Sequence, residues 1–488
     1  MTSTQNPAQR SPGSSAFTLV GFLFLVELVS GILQGYYVPL VTPIANHLGV
    51  TTADYNWTEA AQLLVSALVV PILAKLGDMF GHKRMLLIST AVTALASWGM
   101  AASGNFTLFV IAFALQGFYV VWLPLEVALI FDRGRRTGNA ASRTRRAAGF
   151  LVVALEAGAI IGALGGSAVF DAVRENVSLT LIVPAIFVTL VFFAILFGVP
   201  ESEPTPGRTL DGGGFVLLTL ALLFIMGGLT FLRLNGVGSW TVWVPIAVGL
   251  LLFIPFGRYE LRHRDPAIDL RVLARPSMWP IQLTAGLFGI SVLGAQIPLS
   301  AFAAASPAKV GYGLGLTTSH VSYVIGVYLV SLIIGAVLFA IFARLLPPRI
   351  VLIVAAFLVA LGYLLFIPLH DNLVEVLTNM VIAGIGSGAL VASLPAAAAA
   401  AAPRGQSGIT TGLTNTTKTI GGAFASAVFG VVLHAGLSGG VGSGAGLGSY
   451  LIVWTICGVG ALAAGIALFF VPKLAFGDPD PVTEEPLR

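Results

Sequence analysis

The chain has 488 residues, of which 57% are hydrophobic and only 9% are charged. Soluble domains carry about 25% charged residues, so the composition excludes a water-soluble globular protein and points to insertion in a membrane. The net charge of +4 and the single cysteine, Cys457, bound the rest: one cysteine excludes an intrachain disulfide framework and a cysteine-based metal site. Cys457 sits in an apolar run and reads as a small buried hydrophobe.

In chain order, residues 1–15 form a polar tail with Arg10 as its only cation. The apolar run that follows is too long for a signal-peptide core, and no small-residue cleavage site stands behind it. It reads as the first span. A membrane helix needs about 20 mostly apolar residues. Fourteen segments qualify: 16–39, 57–76, 85–104, 106–131, 147–170, 177–199, 213–233, 240–257, 278–304, 319–343, 350–370, 374–400, 409–434 and 449–472. Their length and continuous apolarity fit helices and not the alternating strands of a barrel.

The basic residues orient these spans, because cations gather on the cytoplasmic side. With the N-terminus inside, that side receives Arg10, Lys75, Lys83, Arg84, the cluster Arg133 to Arg146, Arg208, the cluster Arg258 to Arg275, Arg344, Arg349, Arg404, Lys473 and Arg488. Arg174, Arg233 and Lys309 fall outside, and Lys418 falls within a span. A missed or extra helix would invert every later loop and spoil this pattern. Both termini are therefore expected in the cytoplasm of a plasma (inner) membrane protein. The loop cations face the anionic leaflet, at about 1 kcal/mol each, which removes the need for a nucleic-acid partner.

Six spans end near Val199, and a linker from Pro200 to Gly214 follows. Two further spans, a charged loop from Arg258 to Arg275 and six more spans complete the chain. The expected organisation is a cytoplasmic tail (1–15), a six-helix bundle (16–199), a linker with two inserted helices (200–277), a second six-helix bundle (278–472) and a cytoplasmic tail (473–488). Residues Gly436 to Gly448 are rich in glycine and serine and read as a flexible outer loop.

The loop after span 2 reads Ala74-Lys75-Leu76-Gly77-Asp78-Met79-Phe80-Gly81-His82-Lys83-Arg84. Gly81 permits a tight reversal, and Asp78 is suited to a helix N-terminus or to a nearby cation. Span 5 carries Gly158, Gly162, Gly165 and Gly166, whose spacing lets helices approach closely. Further along stand Gly384, Gly386, Gly388, Pro395, the run Ala402-Pro403-Arg404-Gly405, then Gly412, Asn415-Thr416-Thr417-Lys418 and Gly421-Gly422-Ala423. Pro266-Ala267-Ile268-Asp269-Leu270-Arg271 closes the set.

With the pattern of six, two and six spans, these motifs resemble the fourteen-helix drug:proton antiporter branch of the major facilitator superfamily over nearly the whole chain. The resemblance implies an all-α integral membrane fold with two six-helix bundles plus two inserted helices. It also implies a conformational latch at Asp78, Gly81, Lys83 and Arg84, and helix packing at Gly158, Gly162, Gly166, Gly421 and Gly422. The family's leading loop glycine is Ala74 here, the basic residue after the acid is Met79, and the proline after Gly162 is Ala163. Two departures touch coupling. The arginine three residues before Gln116-Gly117 is Phe113, and the aspartate nine residues before Pro43 is Gln34.

Acids within a membrane cost about 2.5–3.5 kcal/mol on insertion scales and mark functional sites by default. Glu27 in span 1, Glu156 in span 5 and Glu126 in span 4 are therefore the proton-coupling candidates, with Glu27 and Glu156 first. The alternative for each is a structural hydrogen bond between helices. Glu59, close to the outer end of span 2, reads as a wetted interface residue. Lys418 can pair with an acid, bind an anionic substrate group or snorkel to the surface. Gln34, Gln116, Gln282, Gln296 and Asn415 can line a cavity, with Tyr36, Tyr37, Tyr119 and Trp122 adding aromatic contacts. As a set they suit an amphipathic or cationic organic substrate.

Enzymatic readings fail. No phosphate-binding loop ends in Lys-Ser or Lys-Thr, and the six histidines lack metal-ligand spacing. The one Gly-x-Ser-x-Gly match, Gly436 to Gly440, lies in the outer loop without a strand-turn-helix setting. No cofactor or metal is called for. The expected function is export of a small amphipathic organic compound by proton antiport, in a monomer whose partners are its substrate, protons and the bilayer. Two alternatives stay open: an uncoupled or narrow-substrate lipid or metabolite transporter of the same fold, and a non-transporting membrane receptor or scaffold.

Overall fold

The computed structural model describes residues 12–135, 140–202, 209–236, 238–263, 266, 268–343, 345–401, 407–437 and 445–471. Outside these lie residues 1–11 with Arg10 and the expected C-terminal tail with Lys473 and Arg488, whereas residues 12–15 of the expected N-terminal tail already belong to the first helix. Arg136, Arg208, Arg264, Arg344, Ala267, the run Ala402 to Gly405 and the serine of the Gly-x-Ser-x-Gly match also fall outside.

Among the described residues the regular structure is helical, apart from one isolated bridge between Leu437 and Ala445 at the base of the glycine-rich loop. Among the described residues thirteen helices are long and apolar enough to cross a membrane, and one shorter apolar helix, Arg349–Leu365, supplies the eleventh of the fourteen expected crossings. Several begin at side-chain caps that satisfy otherwise orphaned N–H groups. Thr51 accepts from the Asp54 N–H, Asn105 from Leu108, Asn176 from Leu179 and Asp211 from Gly214.

Three spans are interrupted. Span 1 runs from Pro12–Tyr36 through a 3-10 turn at Val38–Leu40 into Val41–His47, beyond the end expected near residue 39. Span 4 passes from Phe106–Gln116 through a 3-10 turn at Gly117–Val121 to Trp122–Arg135. Span 9 breaks between Trp279–Val292 and Gln296–Ala304. Breaks of this kind are tolerated at membrane depth where neighbouring protein satisfies the backbone.

Two large apolar cores organise the molecule. One joins spans 1 to 6, from Leu23 to Val199. The other is built mainly from spans 9 to 14, through residues such as Phe288, Phe302, Tyr328 and Trp454. A third, smaller core holds the inserted pair, Gly212–Asn235 and Trp240–Glu260, against spans 2 and 13 through Leu218, Leu222, Met226, Leu63 and Ala427. The inserted helices thus cover one seam between the bundles. Large apolar side chains such as Phe197, Leu95 and Trp240 are exposed on the rim, as a lipid-facing surface requires.

The glycines of span 5 let it close on span 1. A Cβ at Gly158 would meet the Leu28 carbonyl, at Gly162 that of Ile32 and at Gly166 that of Tyr36. Gly31 and Gly35 of span 1 meet span 5 in the same way, at Leu155 and Ala159. Gly165, from the same run, faces open space. In the second bundle, Gly421 abuts the Gly286 backbone, and Gly422 abuts Leu293 and Leu63.

Two ends of the bundle can be named by residues. At the Lys83 end, the turn after span 2 meets the chain leaving span 6. At the Asp171 end, the turns after spans 1 and 5 meet span 10. Tyr312 at this end donates its hydroxyl hydrogen bond to the Ala445 carbonyl, and burial pushes the Tyr312 phenol up from its ordinary value.

Candidate functional site

Contacts between the bundles cluster in the half nearer Asp171. The Asp54 carboxylate of span 2 lies 3.5 Å from the His434 ring of span 13. The Ser426 hydroxyl, also in span 13, donates to Glu59 at 3.4 Å. Ser319 at the start of span 10 donates to the Asp171 carboxylate. Glu59 is thus half-buried against the opposite bundle. Its location in sequence suggests an interface residue, because a cross-bundle partner 367 positions away leaves no local pattern.

Within the first bundle, Gln116 is fully buried and bridges three spans. Its amide donates to the Tyr37 hydroxyl at 2.7 Å and to Ser97 at 2.9 Å, and its carbonyl accepts from Gln62 at 3.3 Å. The neighbouring Gly117 allows this approach: a Cβ there would stand 2.5 Å from the Gln62 carbonyl oxygen and 2.6 Å from the Ser66 hydroxyl. Phe113, one turn earlier, packs edge-on at 5.4 Å from Tyr37 and lies 5.8 Å from Phe109. The position that holds arginine in the resembling family is therefore filled by a ring in an aromatic cluster. Gln34 is exposed, whereas Tyr37 is buried in that cluster. Trp122 is fully buried beside Tyr119, at 6.1 Å between rings.

Glu27 and Glu126 are both wholly buried. They lie on spans 1 and 4, which pack together in one apolar core, so two carboxyls share one dry interior. Ser30, one turn along, is the polar side chain beside Glu27. Neither Glu126 oxygen has a hydrogen-bond partner among the described residues. Glu156 lies apart from this pair. It is half-buried, on the span that packs against span 10 of the second bundle.

Other predicted cavity residues take separate places. Gln282 is buried and donates to Thr414 at 2.9 Å. Gln296 donates to the Val292 carbonyl at 2.9 Å across the break in span 9, and Asn415 is half-buried on the helix of Lys418. Two clefts open elsewhere. One of about 930 Å³ at the Asp171 end is lined by His47, Asp171, Arg174, Glu175 and Thr317. A largely apolar groove of about 580 Å³ runs along Leu283, Gly286, Leu287, Gly421 and Phe424.

At the Lys83 end, Gly81 takes a φ of 107°, which side chains other than glycine's rarely adopt. It ends span 2 and lets the chain reverse into span 3. Asp78 pairs with His82 at 3.3 Å within this loop. The loop's anchors are Glu201 and Ser202, which sequence reasoning did not single out. Glu201 accepts from the Lys83 N–H at 2.9 Å and lies 3.7 Å from the Arg84 guanidinium. The Ser202 hydroxyl accepts from the His82 N–H at 2.8 Å, and the Lys83 ammonium donates to the Leu196 carbonyl at 2.8 Å. The Pro200–Glu201–Ser202 sequence at the end of span 6 is the signal that could have pointed there. Among the described residues no cluster of three or more His, Cys, Asp or Glu could hold a metal ion.

Comparison with known proteins agrees with this architecture. The family model of the Major Facilitator Superfamily matches residues 23–426. The Cephamycin export protein CmcT of Amycolatopsis lactamdurans is 30% identical over 410 residues, covering 80% of each chain. The Tetracenomycin C resistance and export protein of Streptomyces glaucescens is 24% identical, covering 88% of this chain and 77% of that one. Among solved structures, an auto inhibited POT family peptide transporter superposes with a TM-score of 0.63 at 13% identity, over 93% of this chain and 96% of the other. The nucleoside transporter NupG does so with a TM-score of 0.60 at 12% identity, over 93% and 98%. From the family match and the fold, the chain is a multi-pass membrane protein that belongs to the Major Facilitator Superfamily of transporters.

Proposed function

We propose that the protein exports a small amphipathic organic compound across the plasma membrane in exchange for protons. Relatives named for export of cephamycin and tetracenomycin C support the direction. The two bundles, 16–199 and 278–472, rock about a midplane site, and the segment 200–277 carries the inserted pair along one seam. The positive-inside pattern puts the Lys83 end and both termini in the cytoplasm. The cross-bundle contacts of Asp54, Glu59 and Asp171 then close the outer side, with Asp78, Gly81, Lys83 and Arg84 forming the inner latch.

The observation that carries the coupling is the burial of Glu27 and Glu126 in one core. Two carboxylates in one dry interior repel each other, and the pair is relieved by holding a proton. Rocking of the bundles alternately wets such a pair from either side, and Glu156 offers a second protonation site on the span that packs against the opposite bundle. Uncoupled transport is the second reading, favoured by the aromatic packing of Phe113 where the family carries arginine. Flux of cationic, neutral and anionic fluorescent compounds into inverted membrane vesicles tests the proposal. An acid-inside pH gradient should drive accumulation of at least one class. Indifference of all three to the gradient would establish the uncoupled reading instead.

A further inference from the structure

The apolar groove of about 580 Å³ on the second bundle exists because spans 9 and 13 cross on glycine. A Cβ at Gly421 would collide with the Gly286 carbonyl, so the two backbones touch and no side chain fills the crossing. Leu283 and Leu287 on one helix, and Phe424 and Val428 on the other, line the groove on either side of it. Backbone contact continues at Gly289, where a Cβ would collide with the Lys418 carbonyl. This contact closes the floor toward the space between the bundles. The groove opens the other way: Trp279 and Leu283 are exposed, and Ile456 in its lining belongs to span 14, which packs on spans 9, 11 and 13.

Its dimensions and its two ends are those of one lipid leaflet. From Trp279 to Ile290, both in the lining, the helix rises roughly 16 Å, against about 15 Å for half the hydrocarbon core. The Ile290 end is apolar, with Val428 and Phe429. At the other end the Trp279 ring lies 6.0 Å from that of Phe470, an aromatic pair of the kind that gathers at the membrane interface. Two arginines flank this mouth. The carbonyl of Arg275, whose side chain is exposed, accepts from the Trp279 N–H at 3.0 Å, one turn away. The Arg349 guanidinium donates to the carbonyl of Phe469, the neighbour of Phe470. Asp269, the acid nearest to Arg275 in sequence, is engaged as a cap on the Arg271 N–H at 3.0 Å.

We propose that the groove is a binding site for one anionic phospholipid, with an acyl chain laid between spans 9 and 13 and the headgroup at Arg275 and Arg349. A tail held against a fixed, walled surface keeps dispersion contacts that a freely moving neighbour makes only in passing. The headgroup supplies the selectivity. A cation beside an anionic lipid surface contributes about fivefold in affinity, and two arginines act together here. A zwitterionic lipid fits the same groove, but its own ammonium offsets the attraction. Only the assignment to the cytoplasmic leaflet rests on the orientation proposed above; the site itself is independent of the direction and coupling of transport.

Native mass spectrometry of the full chain in non-ionic detergent tests this, with phosphatidylglycerol or phosphatidylcholine of identical acyl chains added. The wild type should hold a single phosphatidylglycerol at least about tenfold more tightly than phosphatidylcholine. Arg275→Gln combined with Arg349→Gln should erase that preference by weakening phosphatidylglycerol alone, a pattern that misfolding does not produce. Gly286→Leu fills the groove and should displace both lipids. A Cβ at Gly286 would stand 3.3 Å from the Thr417 methyl carbon, so the backbone crossing need not part. Gly165→Leu, at an open position on the other bundle, should bind as the wild type does. Equal affinity of the wild type for the two lipids, retention of phosphatidylglycerol by Gly286→Leu, or an equal loss in Gly165→Leu would overturn the proposal. A dimer that binds neither lipid would also overturn it, since a second copy of the chain would then fill the groove.

Discussion

The Glu201 carboxylate accepts a hydrogen bond from the Lys83 backbone N–H at 2.9 Å, so the chain leaving span 6 caps the helix that opens span 3. A carboxylate at a helix N-terminus is favourably placed against the helix dipole. The same group lies beside Gly81, where an added Cβ would stand 2.5 Å from a Glu201 oxygen. The turn after span 2 and the linker therefore fit as one piece.

Gly81→Ala should destabilise the protein by about 1–3 kcal/mol, since it combines a disfavoured positive φ with a clash against Glu201. Glu201→Ala should lower the transport rate with a smaller loss of stability. The exposed Arg84 contact contributes at most about 1 kcal/mol, and the cap on span 3 contributes about the same. Thermal unfolding in detergent separates the two, and equal melting temperatures would contradict this ordering.

The glycine seam of spans 1 and 5 predicts a contrast between neighbours. Gly158→Val forces a side chain onto the Leu28 carbonyl and should cost about 1–3 kcal/mol or more, because backbone cannot move aside as a flexible side chain would. Gly165→Val meets open space and should stay within about 0.5 kcal/mol of wild type. Folded yield by size-exclusion chromatography and melting temperature would check both, and equal losses would contradict the seam.

Much of this fold is legible in the sequence. Hydropathy runs locate the helices, and the spacing of Gly158, Gly162 and Gly166 marks the tight seam. Gly165 shares the run but not the face, a distinction that requires knowing which neighbour lies where. Glu27, Glu126, Glu156 and Lys418 stand out because ionisable groups are rare at membrane depth. Their grouping does not stand out: Glu27 and Glu126 share one core from helices far apart in sequence. The anchors Glu201 and Ser202 escape notice because charged and polar residues are ordinary at a span end, and only the turn they receive gives them a role.

If the contacts nearer Asp171 must open during transport, locking them should stop it. A Cβ at Gly430 would stand 3.4 Å from that of Asn56, close to the spacing of about 3.5–4.5 Å that a disulfide spans. Asn56→Cys with Gly430→Cys should cross-link under mild oxidation and abolish flux, with recovery on reduction. The native Cys457 is buried and should not interfere. Full flux in the cross-linked protein would contradict movement at this seam.

Introducing arginine at position 113, as the resembling family has it, should not be tolerated. Phe113 is buried among Tyr37, Tyr55 and Phe109, and an uncompensated charge there costs about 3–5 kcal/mol. Phe113→Arg should reduce folded yield sharply, while Phe113→Leu should fold and transport. A stable and active Phe113→Arg would mean that this cluster can accommodate a cation.

We propose that Glu27 carries the exchanged proton, and a comparison of two kinds of flux in proteoliposomes of Glu27→Gln tests it. The variant should still exchange labelled substrate for unlabelled substrate across the membrane but no longer accumulate it when a pH gradient is imposed. Gradient-driven accumulation equal to wild type would contradict it.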